Sequence, residues 1–332
     1  MGQFSIGGAW SKGVGFVSQH AGGQAAILIG MGIAIPWLLQ FLLGGQAEGL
    51  ANPGAMGPNA LAGMAYLGAA ALLVVLISYI LQTGSYFASW RLGLDAEGNV
   101  GAAIVYGLIA AVVLIGIFVA FGVVVALAFG TQLGGGTPPG AGAVVLLLLL
   151  LIPLLILFAA LYTAVMALVC VGMILVLLLG MAFGGMSAAP NPALAMAGGG
   201  AAAILIVLAI TLLFFWLTAR LSCTTTVMAD RGGYNLFSAM AESWRLTSED
   251  QWRILGYLAL LGIILCVGFF VFALFVGASM MGGMQGGQPP AMGTGAMIVS
   301  LLVSIPFAYL TVLVPAGIYR ELYGESPAEV FA

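Results

Sequence analysis

Apolar and polar positions in this chain fall into long blocks. They show neither the period of two of a half-buried strand nor the 3.6-residue stripe of a water-facing helix. Apolar runs of roughly twenty residues, the length that crosses about 30 Å of hydrocarbon as a helix, occupy 25–43, 61–83, part of 100–129, 201–219, 254–277 and 296–317. Two kinds of connector separate them. One is a Gly/Pro/Met/Ala string, seen at 44–60, 130–142, 184–200 and 279–295, in which Glu48 is the only charge. The other carries Trp and Arg and occupies 1–24, 84–99 and 220–253.

The stretch 143–183 is uncharged throughout and as one helix would run about 60 Å at 1.5 Å per residue. It reads either as one long helix kinked at Pro153 or as two spans that turn near Tyr162 and Thr163. Cytoplasmic loops are enriched in Lys and Arg. Lys12 and Arg91 put the amino terminus and the second connector inside, and two crossings by 143–183 then bring Arg220, Arg231, Arg245 and Arg253 to the same side. Two crossings also leave all four Gly/Pro-rich strings outside. The expected fold is therefore all-α: a polytopic transmembrane helical bundle of about eight spans, arranged as four hairpins with interfacial amphipathic helices and both termini cytoplasmic. The alternative is six or seven spans with one long kinked helix.

Composition agrees with the block pattern. Only 5% of the residues are charged and 63% are hydrophobic, against about a quarter charged in a soluble domain, so the exterior has to face lipid. A β-barrel is set aside because runs such as 144–152 do not alternate. The net charge of −3 forms no basic patch, which argues against a nucleic-acid partner. The whole chain reads as one integral membrane domain (1–332), with an acidic cytoplasmic tail at 318–332. The opening segment, 1–24, reads as an amphipathic stretch on the membrane surface, and a cleaved signal peptide is set aside because the following apolar run is of full spanning length.

The connectors carry a repeat. Ser89-Trp90-Arg91-Leu92 recurs as Ser243-Trp244-Arg245-Leu246, each followed three residues later by an acid, Asp95 or Glu249. Around the second copy, Leu236, Phe237, Met240, Ala241 and Trp244 share one helical face. Such a helix suits the headgroup layer, where an indole finds both apolar contact and a partner for its N–H. Ser248 to Gln251 has the form of a capping box that starts the next span, with Trp252 and Arg253 as anchors at its membrane edge.

The runs Arg220-Leu221-Ser222, Ala229-Asp230-Arg231-Gly232-Gly233 and Ala241-Glu242-Ser243-Trp244-Arg245-Leu246-Thr247, with the opening Phe4-Ser5-Ile6 to Trp10, resemble the membrane domain of bacterial glycerophosphoryl diester phosphodiesterases and related integral inner-membrane proteins. The detailed likeness covers about a third of the chain. Cys223-Thr224-Thr225-Thr226 stands where such proteins carry an apolar bridge, and nothing resembles the catalytic phosphodiesterase domain. The resemblance implies a bacterial inner-membrane location.

Candidate chemistry is sparse. His20 has no second histidine or acid beside it for metal-assisted hydrolysis, and Glu249 with Asp250 is accounted for by helix capping. No triad, phosphate loop or zinc motif is present. Cys170, Cys223 and Cys266 have no ligand or disulfide spacing, and the Met-rich strings lack supporting His or Cys. No cofactor or metal is expected. Gln40, Ser78, Thr211, Ser300, Ser304 and Thr311 are the polar residues within the spans, suited to interhelical or same-helix hydrogen bonds. The small-residue pairs Gly30/Ala34 and Gly180/Gly184 allow close helix contact and are compatible with a homo-oligomer. The expected partner is membrane lipid, met by Trp10, Trp90, Arg91, Trp244, Arg245, Trp252 and Arg253. The expected function is that of a non-enzymatic accessory or scaffold in envelope and lipid homeostasis, with a carrier or channel for a small neutral or lipidic solute as the alternative.

Overall fold

The structure, a computed structural model, describes residues 4–50, 60–94, 103–112, 115–116, 212–232, 235–265 and 294–324, and every element among them is helical. α1 (Ile6–Gln19) leads through the short α2 (Ala21–Ala25) into a π-helical stretch (Ala26–Ala34) and α3 (Ile35–Leu50). α4 (Ala60–Gly93) and α5 (Ala103–Val112) follow. After 212 come α6 (212–221), α7 (Thr224–Arg231), α8 (Leu236–Leu246), α9 (Gln251–Leu265) and α10 (Thr294–Tyr323).

Among the described residues four helical stretches are long and apolar enough to cross a membrane: Ala21–Leu42, Leu73–Gly93, Leu212–Arg231 and Leu301–Tyr323. Ala21–Leu42 and Leu301–Tyr323 lie largely on the first and eighth expected spans, Leu73–Gly93 and Leu212–Arg231 begin within the second and sixth but continue into the connectors 84–99 and 220–253, and the shorter apolar α5 and α9 overlap the third and seventh. Residues 143–183, with the expected double crossing, lie outside the described residues. Leu38, Phe41, Leu42, Leu73, Val75, Leu212, Leu213 and Leu302 point away from the protein, as side chains solvated by lipid do. The chain is built as a helical membrane protein.

Element boundaries differ from the expected ones where no Pro stops a helix. α3 continues to Leu50, into the first Gly/Pro-rich string, because the next proline is Pro53. α4 runs unbroken for 34 residues, about 51 Å at 1.5 Å per residue, so 84–93 is the end of a spanning helix and not a separate surface helix. Inside the first span, the Ile35 N–H reaches the Gly30 carbonyl five residues back, the π register. Pro36 follows and can donate to no carbonyl, which removes one α-type bond at that point.

The helices meet at small residues. A Cβ at Gly13 of α1 would lie 2.6 Å from the Leu313 carbonyl oxygen of α10, and one at Gly317 would overlap the Ala9 carbonyl. Gly84 against the Ala103 carbonyl and Gly107 against the Ile80 carbonyl bring α4 and α5 equally close. Between the first span and α4 it is Gly32, facing Ser85, that permits contact, whereas a Cβ at Gly30 would meet nothing within 4 Å. In lipid, where apolar side chains gain little by leaving the solvent, close backbone approach of this kind supplies much of the association energy.

Candidate functional site

Of the residues expected at the headgroups, Trp10 lies on the short α1 and Trp244 and Arg245 on the short α8, while Trp90 and Arg91 end α4 and Trp252 and Arg253 open α9. α8 begins at Asn235, whose Oδ1 accepts from the Ser238 N–H at 3.2 Å, an N-cap that starts the helix afresh. Just before it, α7 ends on Gly232 in the left-handed conformation, φ 63°. The face of α8 turned inward is Leu236, Ala239, Ser243 and Leu246, while Phe237 (74% exposed), Ala241 and Trp244 (38%) form an outward apolar stripe. The apolar face expected from spacing is thus divided, with Leu236 turned toward the protein and Phe237 away from it. Arg245 donates from Nε and Nη2 to the two carboxylate oxygens of Glu242, which also pairs with Arg231 at 3.3 Å. Hydrogen bonding from Arg245, reinforced by the charges of Arg245 and Arg231, holds the Glu242 carboxyl below the ordinary range.

The turn 247–250 joins α8 to α9. The expected capping box does not form, because the Ser248 hydroxyl donates backward to the Arg245 carbonyl at 2.7 Å and so closes α8 instead of opening α9. Asp250 takes the position before α9 and pairs with Arg253 at 3.6 Å. Arg253 also donates to the Phe4 carbonyl at 3.4 Å, and Trp252 stands 68% exposed beside it.

α1 has the same two-sided build. Ser5 caps it by accepting the Gly8 N–H at 3.2 Å. Ala9, Gly13 and Phe16 face α10, and Ile6, Trp10 and Val14 make an outward apolar stripe at i, i+4 and i+8. Lys12 pairs with Glu321 at 3.1 Å. Arg320 donates to Gln19 at 3.2 Å and to the Gly93 carbonyl at 3.0 Å, with its guanidinium over the Phe16 ring. This junction joins α1, the end of α4 and the end of α10.

The two copies of Ser-Trp-Arg-Leu have different surroundings. Both end a helix, with Arg91 and Arg245 in last turns where a cation complements the helix dipole, and both serines are buried. Trp244 and Arg245 are exposed. Trp90 is 0% exposed and donates from Nε1 to the Val312 carbonyl at 3.0 Å, and Arg91 is buried with its guanidinium against Gly232. The difference follows from α4: its unbroken course carries Trp90 into the packing between α1, α10 and α7.

Residues 220–229, expected at the membrane surface, also lie inside, and exposure returns only at Asp230 and Arg231. Arg220 is 6% exposed, and its guanidinium stacks on the Trp244 ring at 4.2 Å from the centroid; Trp216 meets the same ring edge-on at 5.3 Å. The Arg220 carbonyl accepts from the Ser243 hydroxyl at 2.9 Å and the Thr247 hydroxyl at 3.1 Å, and Ser243 Oγ in turn accepts the Cys223 N–H. Sequence reading assigned Ser243 and Thr247 no role. The available signal was the polar run 222–226 between two helical stretches, since polar residues there need partners from elsewhere in the chain.

Along α4, Ser78, Gln82, Ser85 and Ser89 recur at helical spacing on one face, and Gln24 of the first span, fully buried, donates to the Ser89 carbonyl at 2.9 Å. Of the polar residues expected to hydrogen-bond within the spans, Thr311 donates to the Phe307 carbonyl of its own helix, whereas Ser78 Oγ has no partner among the described residues; Thr83, Ser85 and Thr218 also bond carbonyls of their own helices. Among the described residues, no three His, Cys, Asp or Glu side chains gather in a metal-binding group. His20 occupies the junction of α1 and α2, and Glu249 is exposed in the 247–250 turn. Comparison with protein-family models, curated proteins and solved structures gave no match to this chain.

Proposed function

We propose that this protein is an integral protein of the bacterial inner membrane, with about eight spans and both termini in the cytoplasm. It serves as a non-enzymatic accessory or scaffold in envelope and lipid homeostasis, in keeping with the resemblance to the phosphodiesterase membrane domains. The observation that carries the reading is the pair of outward apolar stripes, Ile6/Trp10/Val14 on α1 and Phe237/Ala241/Trp244 on α8, on helices too short to span. Each is backed by a buried face that fixes it to the bundle, and exposed Trp252, Arg245 and Arg253 lie close in sequence to the second. An apolar stripe held rigidly among charged residues is the arrangement by which an interfacial helix holds the acyl–headgroup boundary.

The test uses the protein in bilayers containing lipids brominated at different depths. Emission of Trp10 and Trp252, isolated by replacing the other tryptophans with Phe, is quenched most by bromines near the glycerol backbone. Quenching by deep bromines alone, or by none, rejects the reading. The threading is tested separately by cysteine labelling: Ser187→Cys reacts from the periplasmic side and Ser238→Cys from the cytoplasmic side, and the reverse pattern excludes a double crossing by 143–183.

The polar face of α4 favours a second reading, a carrier or channel for a small neutral solute. Against it, the Ser85 side chain packs against Gly32 so closely that a Cβ there would overlap it, which leaves little width between the first span and α4 at that level. Passage of glycerol-sized solutes into proteoliposomes at rates above protein-free vesicles would support the second reading over the first.

A further inference from the structure

Four polar atoms in one short stretch of the interior lack a hydrogen-bond partner among the described residues: Arg220 Nε, Arg220 Nη1, Thr224 Oγ1 and Thr225 Oγ1. A buried guanidinium in this state is costly, because removal of a charge from water is offset only by a counter-charge or by completed hydrogen bonds. No carboxylate lies within 4 Å of Arg220 among the described residues, although Arg231, Arg245, Arg253 and Lys12 each have one. Other buried side-chain atoms also lack a partner among the described residues, Gln24 Oε1, Ser78 Oγ, Ser89 Oγ and Tyr257 Oη included, but the four atoms of Arg220, Thr224 and Thr225 fall within six residues of each other, and nearby threonines are satisfied. Thr226 donates to the Cys223 carbonyl at 2.8 Å and Thr218 to the Phe214 carbonyl at 2.9 Å.

Thr224 is also the first residue of α7, and the residue before it, Cys223, makes no side-chain capping bond. The positive end of a helix dipole, with N–H groups that have no partner within the helix, therefore lies in the same stretch as the unpaired arginine. The arginine is held in place from two sides. Ser243 and Thr247 fix its carbonyl, and Trp244 stacks on its guanidinium face, which directs the remaining N–H groups along the guanidinium plane. A planar fork, two hydroxyls and a helix N-terminus, all within six residues of the chain, are the kinds of donor that suit a tetrahedral oxyanion.

We propose that Arg220, Thr224 and Thr225 bind a phosphate group, and that its source is the headgroup of a phospholipid whose chains lie beside α8. This rests on the reading of α8 as a headgroup-layer helix: Trp244 belongs to the outward stripe of that helix and is also the platform for the arginine.

The experiment uses the full chain delipidated in dodecyl maltoside, which has no phosphate. The thermal unfolding midpoint is followed during titration with a short-chain phosphatidylglycerol, with the matching diacylglycerol, and with inorganic phosphate. The phospholipid raises the midpoint and the diacylglycerol does not. Arg220→Met, which replaces a buried cation by an apolar chain of similar length and is expected to fold, weakens the apparent affinity at least tenfold through loss of charge-assisted hydrogen bonds. Thr224→Val with Thr225→Val keeps the cation and weakens it by a smaller factor. A rise with inorganic phosphate alone, equal to that with the lipid and lost in Arg220→Met, assigns the site to free phosphate and overturns the lipid source. Equal responses of wild type and Arg220→Met, or no response to either phosphate compound, overturn the site. Brominated-lipid quenching of Trp252 is measured in bilayers of the wild type and of each variant: quenching intact in Arg220→Met shows that its weaker binding is not loss of the membrane-bound fold, and a wild type that is quenched but responds to neither phosphate compound overturns this site and leaves the membrane reading standing.

Discussion

Replacing Trp90 by alanine separates the two environments of the repeated tetrapeptide. Trp90 is fully buried and donates to the Val312 carbonyl at 3.0 Å, whereas Trp252 is 68% exposed. In a membrane the unfolded chain is solvated by lipid as apolar as the core, so the transfer part of the usual cost largely vanishes. Two parts remain. Tens of dispersion contacts at ~0.1–0.2 kcal/mol each lose their partner, and the Val312 carbonyl loses a hydrogen bond, at about 1 kcal/mol. Together they come to about 3 kcal/mol, roughly a hundredfold in the unfolding equilibrium. Trp90→Phe keeps most of the packing and costs ~0.5–1.5 kcal/mol, and Trp252→Ala changes stability by no more than about 0.5 kcal/mol. The assay is equilibrium unfolding in dodecyl maltoside titrated with sodium dodecyl sulfate and followed by far-ultraviolet circular dichroism. If Trp90→Ala costs no more than Trp252→Ala, Trp90 is a surface anchor after all and the packing of α4 against α10 is wrong.

The crossing of α1 and α10 gives a paired test: Gly13→Leu drives a side chain into the Leu313 carbonyl and costs about 1–3 kcal/mol, whereas a Cβ at Gly15 would meet nothing within 4 Å, so Gly15→Ala raises stability by ~0.5–1 kcal/mol. Both are read as shifts in the same unfolding curve. Glu321→Gln removes the partner of Lys12, and with Lys12 about a third exposed its effect stays within ~1 kcal/mol; a much larger loss in the thermal midpoint would mean the junction of the two ends is organised by charge and not by the glycine contact. Glu242 has a folded-state pKa below its unfolded one, so the unfolded chain binds more protons and the contribution of Glu242 is complete above the ordinary carboxylate range and lost as pH falls through the depressed folded value. Comparing wild type with Glu242→Gln across acidic pH shows this as a narrowing gap in stability, and a gap independent of pH refutes it.

Some of this molecule was decided by composition over short windows, and that part was legible in the sequence. Blocks of apolar residues without water-facing periodicity require helices in lipid because any other backbone there leaves amide groups unbonded. Among the described residues, Ala21–Leu42 and Leu301–Tyr323 lie largely on expected spans, whereas Leu73–Gly93 and Leu212–Arg231 run on into stretches read as connectors, and the short helices α1 and α8 form within two of the Trp-bearing connectors. Helix ends were less legible. The same Ser-Trp-Arg-Leu ends α4 and α8, and no local rule states that α4 continues from its span to Gly93 while Gly232 and Asn235 break the chain before α8. Tertiary structure alone decided which tryptophan became core. Trp90 is buried because a carbonyl of a helix far along the chain lies opposite its indole, and Arg220 is buried because Trp244, Ser243 and Thr247 close over it from another helix and turn. Local composition sets which backbone can exist in lipid, but the depth of a side chain depends on partners from other helices, 23 to 222 residues away here, which the order of residues around it does not encode.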